Sequence, residues 1–184
     1  NAVSVHLEND VLTYVKHPDG SYATPPGITS RLLRDGDHYR IDERFSRTIL
    51  FNAENKVIRI TDADGNQVNF TYDSGLLANV ADSFSHSLTF NYTGGLLTSV
   101  TDSTGRGVSF GYDGNSDLIT CTDPDGKVWT YGYDGTSHRI LTLTNPLSIT
   151  TVTNEYDSLG RVKTQTVPRQ TGSATYTLYF SGYR

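Results

Sequence analysis

Five tyrosines recur along this chain at nearly equal intervals, and this spacing limits more than any other feature how the chain can fold. Each tyrosine is followed by Asp or, in one copy, by Thr, and the successive intervals are 20, 20, 21 and 23 residues. The pairs are Tyr72-Asp73, Tyr92-Thr93, Tyr112-Asp113, Tyr133-Asp134 and Tyr156-Asp157. A fixed period of this length is typical of stacked repeat proteins, which usually form scaffolds or binding surfaces.

Each interval predicts two strands and two turns. In the clearest copy, residues 67–72 alternate polar and apolar side chains, which places Val68, Phe70 and Tyr72 on one face of a strand. Residues 73–75 predict a tight turn, and residues 76–80 predict the returning strand. On that strand Leu77 and Val80 are three apart, so either a bulge intervenes or both faces are partly covered.

Composition agrees with a β fold rich in turns. The 184 residues include 17 glycines, 12 tyrosines and 7 phenylalanines, and no window keeps a helical period. The net charge is -5 without a basic stripe, so we expect no nucleic-acid partner. No apolar run approaches the ~20 residues of a membrane span, and this stretch has no signal peptide. The chain contains no Met, so we expect it to be part of a longer protein.

These patterns predict an all-β fold, in which successive hairpins join one antiparallel sheet. We expect an array of repeats over residues 45–184, with residues 48–51 and 57–60 as a degenerate first copy. Residues 1–44 predict an irregular β segment that includes strands at 3–7 and 11–15. Open strand edges near Val3 and Tyr179 would favour pairing between molecules, so we expect an edge-strand dimer.

The recurring frame resembles that of the YD-repeat or RHS (rearrangement hotspot) family. It is D-x-x-G-x-x-x-x-F-x-Y-D-x-x-G-x-L-x-x-V-x-D, and residues 61–80, 101–121 and 122–143 follow it. The family hallmark, Tyr-Asp-x-x-Gly-Arg and an aliphatic residue, is matched by Tyr156, Asp157, Gly160, Arg161 and Val162. Thr93 departs from the pattern.

The resemblance implies a β ribbon that spirals into a hollow shell. Such shells occur in bacterial polymorphic toxins, toxin-complex proteins, wall-associated proteins and animal teneurins, and they typically enclose a toxic C-terminal domain. It therefore implies a non-catalytic section of a secreted or cell-surface shell whose partner is the remainder of its own chain.

Carbohydrate binding through exposed aromatic side chains is an alternative function, which the resemblance also suggests because some family members have been linked to it. The aromatic residues of the repeats should form rows across neighbouring strands, either as a core seam or as a platform for sugar rings. Our candidate sugar-binding residues are Trp129, Tyr131 and Tyr133. We expect Trp129 to alternate opposite to the face of Tyr131 and Tyr133 and to be exposed.

A glycosidase is the third alternative, because paired carboxylates such as Asp42 with Glu43, or Glu155 with Asp157, could act as acid and base. Most acids, however, recur at equivalent turn positions, whereas catalysis needs one special place. Asp62 and Asp123 open segments that look like calcium loops, but Gly lies fourth instead of sixth. We therefore expect turns there, and we expect no metal and no cofactor.

Overall fold

The computed structural model describes residues 1–7, 10–169 and 172–178, and these residues form strands and turns almost throughout. This confirms the all-β fold class and the antiparallel succession of hairpins. Within the described residues the helical segments are two 3-10 turns, Arg44–Ser46 and Gly135–Ser137. None of the described residues belongs to a helix with the length and apolar character needed to cross a bilayer.

The chain divides into two compact units, Asn1–Thr89 and Phe90–Arg184. The division at residue 44 between an irregular segment and the repeats stays a prediction.

The first unit contains two antiparallel sheets. The smaller sheet has the order β1-β2-β3, and the larger one follows chain order from β4. Their strands are β1 (Ala2–Leu7), β2 (Asp10–Lys16), β3 (Tyr22–Ala23), β4 (Arg31–Asp35), β5 (His38–Asp42), β6 (Thr48–Phe51), β7 (Val57–Thr61), β8 (Gln67–Asp73) and β9 (Leu76–Asp82). The strands predicted at 3–7, 11–15, 67–72 and 76–80 are confirmed. Strand β10 (Ser87–Thr93) begins in this unit and ends in the second.

The buried core of the first unit lies between its two sheets. Leu32, Ile41 and Ile49 are opposite one another on β4, β5 and β6 and are almost fully buried. Val5 and Tyr14 of the smaller sheet complete the cluster. The Tyr14 hydroxyl is within 2.6 Å of the Ser30 hydroxyl, so its polar end is satisfied in the interior.

The second unit continues the same antiparallel pattern, each strand pairing with the next. Its strands after β10 are β11 (Leu96–Asp102), β12 (Gly107–Tyr112), β13 (Leu118–Thr122), β14 (Val128–Tyr133), β15 (Ile140–Thr144), β16 (Thr150–Tyr156), β17 (Val162–Arg169) and β18 (Gly172–Thr177). Among its described residues Asp117 alone is buried, and the apolar side chains are half-buried or exposed.

From β8 to β17, the aromatic side chains whose strand partners the structure describes lie opposite Val, Leu, Ile or Cys, and not opposite each other. Phe70 is opposite Val80 on the neighbouring strand, and Tyr131 is opposite Leu143 in the second unit. The predicted pairing of aromatic rings across strands is therefore wrong. In each repeat a strand that carries aromatic side chains is followed by a strand that carries aliphatic ones, so the rings do not lie opposite one another. In the described residues the ring pair of this structure is Tyr22 with Tyr39 in the first unit.

A β-bulge resolves the irregular spacing on the returning strand. Thr71 is opposite Asn79 and Tyr72 is opposite Leu77, so Ala78 is the extra residue. Leu77 and Val80 consequently share the face of Tyr72. Equivalent register shifts occur at Phe51, Tyr112, Tyr133 and Tyr156. The shift at Phe51 shows the same irregularity in the segment 48–60, whose assignment as a degenerate first repeat stays a prediction.

Candidate functional site

Four of the periodic tyrosines make the same hydrogen bond. Each phenolic hydroxyl donates to a backbone carbonyl oxygen on the preceding strand, 15 or 16 residues earlier in the chain. The bonds are Tyr72 to Val57 (2.8 Å), Tyr112 to Leu97 (2.8 Å), Tyr133 to Leu118 (2.9 Å) and Tyr156 to Ile140 (2.7 Å). We call this contact the tyrosine bridge. Its recurrence gives these four signature tyrosines equivalent hydroxyl contacts.

The tyrosine bridge forms where two strands separate. Regular pairing of β11 with β12 runs from Thr101 opposite Gly107 to Ser99 opposite Ser109. Leu97 lies two residues beyond this paired segment, where its carbonyl has no ladder partner on β12. A half-buried carbonyl without a partner is costly, and the hydroxyl of Tyr112 supplies the missing donor.

The surroundings of the bridging rings differ from copy to copy. Burial raises the pKa of Tyr72 and Tyr133. The Lys56 ammonium lies 5.0 Å from the centre of the Tyr72 ring, and the Arg139 guanidinium lies 5.1 Å from that of Tyr156. Lys56 also donates to the carbonyl of Gly75. These contacts are cation–π interactions that tie one turn to the next repeat.

A side-chain oxygen of the first residue organises each of these turns. In eight described loops, the first residue accepts hydrogen bonds through Oδ1 from the backbone N–H groups of the third and fifth residues, at 2.7–3.1 Å. These first residues are Asn52, Asp62, Asp82, Asp102, Asp113, Asp123, Asn145 and Asp157. We call the arrangement the Asx loop. It supports the turn interpretation of Asp62 and Asp123.

The Asp that follows each signature tyrosine does not have one constant role. Asp113 and Asp157 open Asx loops, whereas Asp73 precedes a two-residue turn in which Ser74 and Gly75 have φ of 48° and 84°. In that turn the Asp73 carboxylate accepts only a 3.2 Å bond from the Ser74 hydroxyl. Gly94 and Gly95 form the same kind of turn, with φ of 59° and 83°, after Thr93. Such a turn depends on positive φ and not on a carboxylate, which explains why Thr replaces Asp there.

The hallmark glycine and arginine complete the last described Asx loop. Gly160 has a φ of 77° and donates its N–H to the Asp157 carbonyl at 3.0 Å. Arg161 donates through Nε to Asp157 Oδ2 at 2.8 Å. The pKa of Asp157 is lowered mainly by the Arg161 backbone N–H, and next by the Arg161 side chain. Asp134 opens a longer loop and accepts from Arg139 Nη2 at 2.8 Å.

Trp129 does not point away from the other aromatic residues. It is half-buried, whereas Val128 and Thr130 on either side are exposed. Along β14 it alternates in phase with Tyr131 and Tyr133, so the three share one face. The expectation of an opposite, exposed Trp129 is therefore wrong, because residues two and four apart on an unbulged strand lie on the same side.

The candidate acid–base pairs are engaged by other side chains. Arg40 donates to Asp42 Oδ2 at 3.0 Å, and Arg47 donates to Glu43 at 3.0 Å. Glu155 accepts from the Thr164 hydroxyl at 2.8 Å. The described residues contain no group of three His, Cys, Asp or Glu side chains that could hold a metal ion.

A buried carboxylate was missed by sequence reasoning. Asp117 is only 7% exposed, and its Oδ1 lies 2.7 Å from Nδ1 of the largely exposed His138. His138 reaches this carboxylate from the longer loop of the next repeat, with a left-handed φ of 58°. The one signal in the sequence was the extra residue between Asp134 and Arg139.

Comparison with known families gives a match within the second unit. Residues 112–150 match the RHS repeat family. This segment is an RHS repeat. The match contains the tyrosine bridge of Tyr133 and the Asx loop of Asp113, and it confirms the resemblance drawn from the sequence. A search of curated proteins finds no match.

Solved structures show the same fold for this chain. A crystal structure of TcdB2-TccC3-Cdc42 aligns with 89% of the chain at 11% identity and a TM-score of 0.50. A structure of the Photorhabdus luminescens Tc holotoxin pore aligns with 91% at 12% identity and a TM-score of 0.50. In both cases the chain spans 12% of the length of the matched protein.

Proposed function

We propose that this chain is a non-catalytic structural module, a section of a secreted or cell-surface bacterial RHS shell that encloses or presents another domain. The observation that carries the proposal is the recurrence of the tyrosine bridge and the Asx loop in successive hairpins. Four signature tyrosine hydroxyls and the first Asp or Asn of each Asx loop are thereby engaged in holding the hairpins together. Similarity to Tc toxin proteins supports a toxin-associated parent chain, whose remaining shell and C-terminal toxin domain would be its partners.

The coding sequence on either side of this segment tests the proposal. We expect further repeats on at least one side and a toxin-like domain downstream. In the intact polypeptide, limited proteolysis should leave the enclosed domain protected as long as the repeats are folded. Flanking sequence without repeats, or an enclosed domain cut as fast as the isolated domain, would contradict the shell function.

Carbohydrate binding is the second candidate, favoured by one observation. Trp129 and Tyr131 share a half-buried face with Tyr133, so their rings could form one stacking surface. In calorimetric titrations with a glycan array, Trp129→Ala should abolish affinity without moving the thermal midpoint. An array without any binder would remove this candidate.

Edge pairing would give the module a second copy of itself as a partner. Strand β1 forms the edge of its sheet, and β2 is its only strand partner in the described residues. Tyr179, the other predicted edge position, lies outside the described residues. We propose a dimer, which light scattering at high concentration should detect as a doubled mass, whereas a strict monomer would exclude it.

A further inference from the structure

The smaller sheet of the first unit ends in an open edge at β1. Within the described residues β1 pairs with β2 on one side, and no described strand pairs with its other side. The Lys16 N–H donates to the Asn1 carbonyl, so every second residue after Asn1 exchanges backbone hydrogen bonds with β2. The N–H and C=O groups of the residues in between point into the free edge. These residues are Ala2, Ser4 and His6.

A groove with a mainly apolar lining lies beside β1, between it and the larger sheet. Its volume is about 480 Å³. It is lined by residues 2–6 of β1 together with Leu32, Tyr39, Phe51 and Asn55. Val3 and Val5 pack toward the core, whereas the side chains that alternate with them are exposed. None of the lining residues is Asp, Glu, Lys or Arg, so the groove favours apolar side chains over charged ones.

One row of side chains shows where the cover of the larger sheet stops. Leu32, Ile41, Ile49, Ile60 and Val68 lie opposite one another in turn on β4, β5, β6, β7 and β8. The first three are 3%, 0% and 3% exposed, because the smaller sheet packs on them, and the last two are half-buried. Strand β3 lies next to β4, and β1 shares the groove with Phe51 of β6. The next strand position beyond β1 therefore lies over β7.

We propose that this edge binds an extended segment of another polypeptide as a fourth, antiparallel strand of the smaller sheet. The segment would carry apolar side chains at alternate positions. Its backbone would bond the free N–H and C=O groups of Ala2, Ser4 and His6, and its apolar side chains would cover Ile60 and Val68. The inference goes beyond the shell function, because it assigns the module a binding site and a partner of defined chemistry.

A single segment suits this position better than a second copy of the chain does. A second copy that paired through β1 would bring its own β4 to β6 to the place where β7 and β8 already lie. An extended segment brings no second layer, since Ile60 and Val68 supply the floor of the site. The segment should therefore displace the edge dimer proposed above.

Calorimetric titration of the whole chain with two N-methylated peptides tests the pairing. Both peptides have the sequence Lys-Thr-Val-Thr-Val-Thr-Val-Thr-Lys. In an antiparallel fourth strand whose valines face the larger sheet, the threonine N–H groups face β1 and the valine N–H groups face away. The peptide methylated at its valines should bind saturably, and the one methylated at its threonines should bind at least tenfold more weakly. Equal binding by the two peptides, or no saturable binding by the first, would overturn the inference.

Substitutions in the site separate edge pairing from folding. Ser4→Pro removes an N–H that points away from β2, so β1 should keep its ladder while binding of the valine-methylated peptide falls at least tenfold. Ser4→Ala keeps this N–H and should bind normally. Ile60→Thr should weaken binding at least fivefold, whereas Ile149→Thr, at an exposed position of the second unit, should leave it unchanged. Undiminished binding by Ser4→Pro or by Ile60→Thr would contradict the site.

Light scattering distinguishes the segment from a second copy. The complex with the valine-methylated peptide should have the mass of one chain and one peptide, and added peptide should reduce any doubled mass to this value. A doubled mass that persists at saturating peptide would mean that a second copy holds the edge, and the inference would then be wrong.

Discussion

Replacing Tyr133 by Phe removes one hydroxyl group and keeps the ring. The lost contact is the 2.9 Å hydrogen bond to the Leu118 carbonyl, at the point where β13 and β14 separate. A hydrogen bond between neutral groups stabilises a protein by about 0.5–1.5 kcal/mol net. Because the ring is half-buried, water only partly replaces the donor, and we expect the free energy of unfolding to fall by about 1 kcal/mol.

The matched control lies two residues away on the same strand. Tyr131 shares the face of Tyr133, but its hydroxyl forms no hydrogen bond with the residues that the structure describes. Tyr131→Phe should therefore change the free energy of unfolding by less than about 0.5 kcal/mol. Urea unfolding followed by the fluorescence of Trp129 on the same strand gives both values, and the slope with denaturant should stay constant.

A double substitution tests whether the bridges act independently. Tyr112 and Tyr133 lie on β12 and β14, about 10 Å apart at the usual spacing of strands. At such a separation the losses should add, so Tyr112→Phe with Tyr133→Phe should cost about 2 kcal/mol. If Tyr131→Phe destabilised the protein as much as Tyr133→Phe, or if neither did, the tyrosine bridge would not stabilise the fold.

Four further outcomes follow from the turns, the glycines and the buried rings. Asp102→Ala should lower the urea midpoint more than Asp102→Asn, since Asn52 opens the same loop with its amide oxygen and an Asn would lose only the contacts of the second carboxylate oxygen with Arg106; equal losses would refute this role of the side-chain oxygen. The Thr104 hydroxyl, and next Arg106, hold the pKa of Asp102 well below its usual range. The contribution of the Asp102 carboxylate to the free energy of unfolding is therefore present above about pH 4 and is lost on acidification. Asp102→Asn should accordingly flatten the acid limb of a curve of stability against pH. A Cβ at Gly132 would collide with the Thr142 hydroxyl, so Gly132→Ala should lower the free energy of unfolding by about 1–3 kcal/mol, and Thr142→Ala should restore it. A Cβ at Gly114 meets open space, so Gly114→Ala should be neutral in the same thermal melts. Since burial raises the pKa of Tyr133, stability should be full below about pH 10 and fall above it, less so in Tyr133→Phe; an alkaline limb identical in both proteins would count against burial as the cause.

The hairpins could be predicted because their signals are local. An Asp or Asn, a residue with positive φ and a period-two strand all lie within ten residues of one another, as around Asp62. The bulge at Ala78 could be stated only as an alternative, since spacing on one strand does not reveal its register against the next. The alternation of side chains along β14 is sufficient to place Trp129 on the face of Tyr131 and Tyr133, so the expectation of an opposite face did not follow from the sequence.

Contacts between elements were beyond sequence reasoning. The tyrosine bridge depends on which carbonyl is left unpaired, and this is decided by where pairing of β11 with β12 ends, at Ser99. The contact of Asp117 with His138 joins residues 21 apart through a loop of unusual length. The backbone of Phe45, with φ 67° and ψ 30°, is likewise not predicted by the identity of the residue, because Phe rarely adopts this conformation.

In the Asx loops whose third residue is apolar, that residue contributes only its backbone N–H to the loop. Phe84, Leu147 and Leu159 occupy this place and are 63%, 78% and 75% exposed, whereas Thr104 holds it in another loop. Substitution there leaves the acceptor oxygen and both donors intact. The third positions of these loops are thus sites at which mutation can change the surface of the protein while the hairpins keep their structure. A short epitope could be grafted at the same positions.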